Sequence, residues 1–306
     1  MKVVIAGGTG FLGQALVNRL LADQHDVVVL TRDDGRTRRS ERVNATRWVP
    51  NGEIGPWAAT IDGAGAVVNL AGEGIAEKRW SAAHKRRVQE SRVNATRSLV
   101  EAIRAAASPP PAFVSGSAVG YYGTHWGDEE VLTEESPAGD DFLAGVCLRW
   151  EAEAARVSAR TRVAYVRTGL VLDRNGGALP RMLLPFKIGA GGRVGSGRQY
   201  WPWIHLQDWV DLVRWIIQTP TVSGAFNATA PHPVTNAEFT RALGRALHRP
   251  AFMPAPAFAL RLMFGEMADA LLLAGQRAVP AKASRHGFTF RYAEVNDALG
   301  AIFGGP

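Results

Sequence analysis

Three glycines at Gly7-x-x-Gly10-x-x-Gly13 stand at the spacing with which a backbone binds a diphosphate. The first two permit a tight turn and let N–H groups come close to phosphate oxygens. The third lets the following helix lie against the preceding strand, and the start of that helix adds partial positive charge. The full run is Gly7, Gly8, Thr9, Gly10, Phe11, Leu12 and Gly13. A tight turn without a ligand would use the same residues, so context decides. Val3 to Ala6 is an apolar run entering the loop, and Phe11, Leu12, Ala15, Leu16, Leu20 and Leu21 leave it at helical spacing. Val27 to Leu30 is a second apolar run. Strand, loop, helix and strand in about thirty residues make one crossover unit.

The next residues bear on which dinucleotide fits. A site for NAD carries an acid at the end of the second strand, bonded to the ribose hydroxyls. This strand ends in Thr31 and Arg32, and Asp33 and Asp34 come only after it. A guanidinium there suits a 2′-phosphate, with the Thr31 hydroxyl beside it and Arg36, Arg38, Arg39 and Arg42 close in sequence. Arg32 as an ordinary surface residue is the plainer alternative. The pattern favours NADP(H).

Other groups are ambiguous. Cys147, between Val146 and Leu148, reads as a small buried hydrophobe more readily than as a nucleophile. Glu151 is a surface acid or a buried partner for an arginine such as Arg167, and the structural role is favoured. Asp208 either pairs with His205 as an acid–base couple or caps a helix. No HExxH or CxxC spacing exists, so no metal is expected. Gly189 to Gly197 has no clean strand before it and no helix after it, so it reads as turn structure, not a second phosphate loop.

Strands are expected at Ala66–Leu70, Ala112–Ser115, Val163–Val166 and Ala225–Ala228. Helices are expected at Ser91–Ala107, Arg149–Ser158, Leu206–Gln218 and Glu238–Leu247. The alternation implies an α/β fold: a Rossmann-type doubly wound parallel sheet with a small, mostly helical C-terminal domain. The expected division is 1–240 and 245–306, with cleft insertions of loops and short strands from about 173. Trp201, Trp203, Trp209 and Trp215 read as core.

The chain has 306 residues, 46% hydrophobic and 21% charged, which supports a substantial core. Its net charge of +7 is scattered and not interleaved with aromatics, which argues against nucleic acid and suits a phosphate-rich cofactor. A single cysteine excludes an internal disulfide and fits a reducing compartment. The N-terminus reads as a strand, not a signal peptide. The 257–274 stretch carries Arg261, Glu266 and Asp269, so it reads as an amphipathic helix and not a span. A cytoplasmic protein with a small-molecule substrate, no membrane partner, and a monomeric or homodimeric state is expected.

Several segments together resemble the extended short-chain dehydrogenase/reductase superfamily. They are the glycine loop, Val67–Gly72, Arg92–Arg97, Ser115–Ala118 and Arg167–Leu172. Asn69–Glu73, Lys78-Arg79-Trp80, Trp150-Glu151, Leu184-Pro185-Phe186, Gly195–Gln199, Trp203-Ile204-His205 and Asn227–Pro231 resemble, more narrowly, its atypical epimerase branch, related to sugar-nucleotide epimerases. The resemblance implies that Leu70, Ala71 and Gly72 lie at the cofactor, that Arg92 reaches toward it, and that the stretch from Gly169 to Val171 borders the nicotinamide. It implies a substrate between the sheet and the C-terminal part, bonded by Ser117. That superfamily uses a Tyr and a Lys four residues apart as its acid–base pair, and no such pair exists in this chain. Tyr122 is considered as a proton donor, although packing on the sheet edge suits it better. Two functions follow: an NADP(H)-dependent oxidoreductase or epimerase acting on a small polar substrate, or a non-catalytic NADP(H)-binding redox sensor or scaffold.

Overall fold

The structure, a computed structural model, describes residues 1–33, 41–127 and 129–304. The expected contribution of Arg36, Arg38 and Arg39 lies outside the described residues. In chain order the first elements are β1 (Lys2–Ala6), α1 (Phe11–Ala22), β2 (Asp26–Thr31), β3 (Val43–Arg47), β4 (Ala66–Asn69), α2 (Ala82–Ala105), β5 (Ala112–Ala118), β6 (Val131–Leu132), α3 (Phe142–Ala155) and β7 (Arg162–Thr168). Then come β8 (Leu170–Asp173), β9 (Gly176–Gly177), α4 (Leu179–Lys187), β10 (Tyr200–Trp201), β11 (Trp203–His205), α5 (Leu206–Gln218), β12 (Gly224–Ala228), β13 (Val234–Thr235) and α6 (Asn236–Leu247). The chain finishes with α7 (Ala257–Phe264), α8 (Glu266–Ala268), β14 (Arg277–Ala278), α9 (Ala281–Arg285) and α10 (Val295–Phe303).

Seven strands form one sheet in the order β12-β7-β5-β4-β1-β2-β3. Every neighbouring pair in it is parallel. Alternate residues of each strand face opposite layers. Val3, Ile5, Val27, Val29 and Val68 point to the face covered by α1 and α5, where Leu16, Leu20, Trp209 and Val213 meet them. Val4, Val28, Val67 and Phe113 point to the other face, with Leu99, Ile103 and Ala154 from α2 and α3. Burial on both faces explains why the strands read as continuous apolar runs. Order reverses between β1 and β4, so the crevice for a ligand opens at the carboxyl ends of these strands.

Several expected elements are corrected. Helix α2 begins at Ala82, not Ser91, because Ser81 Oγ accepts from the His84 N–H and caps it. Of residues 82–90 only His84 and Val88 are buried, so its first turns show little apolar period. Helix α3 begins at Phe142, capped by Asp141. Strand β3 was not visible as an apolar run, since of VNATR only Val43 is buried. Helix α4 forms inside the stretch expected to be loops and short strands, despite Pro180 and Pro185. The helix expected over 257–274 breaks at Gly265, where φ is +62°.

A third apolar cluster sits beyond the sheet, joining Leu183 and Phe186 of α4, Phe239 and Leu243 of α6, and Ala298 and Leu299 of α10. The C-terminal elements also return to the sheet layer. Ala283 of α9 joins the α1/α5 core, and β14 pairs with β6. Trp201, Trp203 and Trp209 are buried as expected, and Trp215 packs against the core. Among the described residues no helix is long and apolar enough to cross a membrane.

Candidate functional site

The glycine loop runs from the end of β1 to the start of α1. A Cβ at Gly7 would fall 2.7 Å from the carbonyl carbon of Leu70 and 2.9 Å from the N of Ala71. A Cβ at Gly13 would fall 2.2 Å from the Gly7 oxygen. The two positions therefore admit only glycine, and the loop lies hard against Leu70 and Ala71 at the end of β4. Gly10 caps α1 without a side-chain bond, and the first N–H of the helix ladder belongs to Gln14. The N–H groups of the first turn are thus left to a ligand, which is the arrangement a diphosphate requires. Phe11 leaves this loop and lays its ring on Gly176 and Gly177, beside the Val171 carbonyl. Loop, β4 end and β8 are so brought together around one crevice.

Thr31 and Arg32 stand at the end of β2. The Thr31 hydroxyl donates to the Asp33 carbonyl (3.0 Å) and accepts from the Asp33 N–H (3.2 Å), which turns the chain. Arg32 is exposed and makes no hydrogen bond or ion pair among the described residues. Its guanidinium is uncommitted, which suits an external phosphate. Arg42 does not join it, because it donates to the Gln24 carbonyl (3.0 Å).

Gly72 lies under the Arg92 side chain, with a would-be Cβ 3.1 Å from the guanidinium carbon. Arg92 donates to the carbonyls of Glu73 and Val88 (2.9 Å each) and stacks on Trp150 at 5.2 Å. Burial lowers its pKa. Its bonds brace the segment after β4.

A polar network fills the α3 side of the sheet at the ends of β5, β7 and β12. Ser117, Arg167 and Asn227 are register partners across these strands. Ser117 Oγ donates to Glu151 Oε1 (2.6 Å). Arg167 Nε and Nη2 donate to the two oxygens of the same carboxylate, each at 2.9 Å. Burial works against the Arg167 cation, yet the bonds from Glu151 outweigh it and hold the guanidinium charged. Tyr121 stacks on that guanidinium at 3.4 Å. The structural role favoured for Glu151 is the one observed.

Tyr122 belongs to this network. Its hydroxyl donates to Asn227 Oδ1 (2.7 Å) and accepts from Arg167 Nη1 (3.1 Å). Burial pushes its pKa up to about 12. A phenol so held keeps its proton, so the donor role considered for Tyr122 does not fit this geometry. Cys147 is buried one turn before Glu151 and donates weakly to the Ala118 carbonyl (3.6 Å). Burial raises its pKa to about 11, so it is an inert thiol. Cys147 and Glu151 thus occupy, four residues apart, the α3 face turned toward Ser117.

Both roles considered for Asp208 are corrected. His205 Nδ1 caps α5 by accepting from the Gln207 N–H (3.1 Å). Asp208 instead accepts from the N–H groups of Arg291 (2.8 Å) and Tyr292 (2.9 Å), tying the C-terminal segment down. Burial raises its pKa against these bonds. Asn227 and Glu134 went unrecognised as parts of the network. Glu134 accepts from the N–H groups of Asn227 (2.9 Å) and Lys282 (3.1 Å). An asparagine near the end of an apolar run, Ala225-Phe226-Asn227-Ala228, is the signal that could have found the first. Among the described residues no group of His, Cys, Asp or Glu side chains is placed to hold a metal ion.

Comparison with known proteins agrees with this geometry. The model of the NAD dependent epimerase/dehydratase family matches residues 3–228, and a domain of unknown function, DUF1731, matches residues 255–302. The chloroplastic homologue of epimerase family protein SDR39U1 from Arabidopsis thaliana is 41% identical over 304 residues, covering 99% of this chain and 86% of that protein. The crystal structure of human epimerase family protein SDR39U1 (isoform 2) with NADPH superposes with a TM-score of 0.89 at 36% identity, covering 100% of both chains. A nucleoside-diphosphate sugar epimerase from Corynebacterium glutamicum superposes with a TM-score of 0.78 at 33% identity, over 99% of this chain and 58% of that one. The glycine loop, the parallel sheet and these matches agree: the chain belongs to the NAD dependent epimerase/dehydratase family.

Proposed function

We propose that this protein binds NADP(H) and is an oxidoreductase or epimerase acting on a small, hydroxyl-bearing substrate. The cofactor assignment is supported by the uncommitted Arg32 at the end of β2, by the uncapped first turn of α1, and by the NADPH in the human relative's structure. When bound, the nicotinamide would supply hydride transfer. Gly7, Gly10 and Gly13 would hold the diphosphate, Arg32 the 2′-phosphate, and the residues from Leu70 to Gly72 and Val171 the walls.

The observation that carries the substrate side is the Ser117–Glu151 bond. The proton of Ser117 is committed to the Glu151 carboxylate, whose two oxygens also accept from Arg167. The Ser117 oxygen therefore presents lone pairs, and accepts from a substrate hydroxyl more readily than it donates to a carbonyl. Ser117 is 4% exposed, so the substrate group that reaches it must be small. No phenol–ammonium pair assists, and Cys147 and Glu151 stand on the helix face where one would be sought.

Calorimetric titration tests the cofactor. NADPH should bind at least about tenfold more tightly than NADH, given about 1.5–3 kcal/mol for a hydrogen bond to a charged group. Arg32→Ala should remove most of that preference and leave NADH binding unchanged. Equal affinities for the two, or an unaltered preference in Arg32→Ala, would sink the assignment. Turnover is tested with NADP⁺ over a panel of small alcohols and nucleotide sugars, with Ser117→Ala as control. Tight cofactor binding without turnover would instead favour the non-catalytic sensor, for which the missing Tyr/Lys pair is the motivating observation.

A further inference from the structure

A basic recess of about 720 Å³ opens at the carboxyl end of α6, lined by Arg241, Arg245, His248, Arg249 and Phe252 among others. No acidic side chain lines it. Arg245 donates to Asn296 Oδ1, while the side chains of His248 and Arg249 have no partner among the described residues. Cations favour helix carboxyl ends, which accounts for Arg245 and His248. It does not account for Arg249 beyond the helix, whereas Arg241, a turn before them, also answers Glu238 on the same helix.

Phe252 lines this recess and is also the first of an apolar series. It is 73% exposed, Met253 follows it, and α7 then presents Phe258 (74%) and Leu262 (79%) one turn apart, with Met263 beside them. Helix α7 has no buried residue at all. The 252–255 segment is held in place, not frayed: the Met253 N–H donates to Gly191 and the Ala255 N–H to Arg193. Arg261 on α7 is already paired with Asp269 and is not counted here.

We infer that this face docks on the surface of an anionic lipid bilayer, with the recess arginines at headgroup phosphates and the α7 side chains at the acyl boundary. Exposed aromatic and aliphatic side chains beside a recess lined by three arginines and no acid are the combination that interfacial binding uses. The chain's +7 charge adds long-range attraction to such a surface. A second copy is the weaker occupant. An isologous contact over Phe252 would bring both sets of arginines together. An acidic protein is weaker too, because Phe258, Leu262 and Met263 project from α7 and do not line the recess, as anchor residues would. Nothing here depends on the cofactor or the substrate.

The test is co-sedimentation of the full chain with phosphatidylcholine vesicles, with and without phosphatidylglycerol. Binding is expected only with phosphatidylglycerol, falling steeply as salt rises. Arg241→Glu combined with Arg249→Glu should weaken it at least about tenfold, on the scale expected of a few basic contacts. Phe258→Asp combined with Leu262→Asp should do the same, with an unchanged circular dichroism melt because neither side chain is packed. No binding to either vesicle, or equal binding to both, overturns the inference. So does a dimer in light scattering that the Phe258 and Leu262 changes dissociate.

Discussion

At the scale of single residues, the Glu151–Arg167 pair is the most consequential contact in the molecule. Both partners are buried, and all their charge is met by each other and by Ser117 and Tyr122. Glu151→Ala would strand the guanidinium, and a broken buried pair costs about 3–5 kcal/mol. Urea denaturation should show that loss. Ser117→Ala should cost only about 1–2 kcal/mol, because Arg167 still satisfies both carboxylate oxygens. A second residue-scale expectation concerns Cys147: native protein at pH 8 should resist iodoacetamide and become labelled only on unfolding. Rapid native labelling would contradict the raised thiol pKa. Part of this was readable in advance. Glu151 precedes Arg167 on a helix-then-strand path, so a pair could be named. The partners of Asp208 could not, because they are backbone N–H groups 83 and 84 residues away, and a backbone donor leaves no mark in side-chain chemistry. Tyr122 was ambiguous for a related reason: a Tyr in a turn reads alike whether its hydroxyl faces a substrate or an asparagine.

At the scale of elements, local chemistry accounts for what was legible. The β1–loop–α1–β2 unit announced itself because glycine spacing, apolar runs and helical period all agree. Gly13→Ala should then fail to give a stable, cofactor-binding protein, since its Cβ would collide with the Gly7 carbonyl. Gly10→Ala should be milder on stability, its Cβ meeting that oxygen at 3.3 Å. Thermal melts with and without NADPH would separate the two. Helix α6 carries a reciprocal capping box: Thr235 Oγ1 accepts from the Glu238 N–H, and the Glu238 side chain accepts from the Thr235 N–H. Thr235→Ala should cost about 1 kcal/mol. Glu238 has a lowered pKa, first through that backbone bond. Its stabilisation is present above the ordinary carboxylate range and is lost as pH falls through the folded value. The elements that escaped notice share a cause. The start of α2 and the strand β3 are mostly exposed or half-buried, so neither shows the apolar period that burial imprints.

At the scale of the whole molecule, two packed faces of one sheet were foreseeable, and the third cluster was not. It is assembled from α4, α6 and α10, separated by more than a hundred residues at the extremes, and no local pattern reports such distant partners. The buried, neutral Cys147 and Tyr122 also shape the global response to alkali. Their folded pKa values stand at about 11 and about 12, above the ordinary 9.0 and 10.0. The unfolded chain therefore releases these protons first. These two groups add no slope below about pH 9, and their contribution should make stability decline as pH rises toward 12. Melts from pH 8 to 11 would show it, and Cys147→Ala should flatten the first part of the decline; an identical slope in that variant would remove the thiol from the account. The ring of Phe11 has a broader consequence. It is the first residue of the helix that the glycine loop feeds, and it rests on two glycines of a hairpin more than 160 residues later. A wedge of that kind makes the two segments move as one. Occupancy of the loop would be felt at the hairpin as slower amide exchange, and trimming the ring to a methyl would uncouple them.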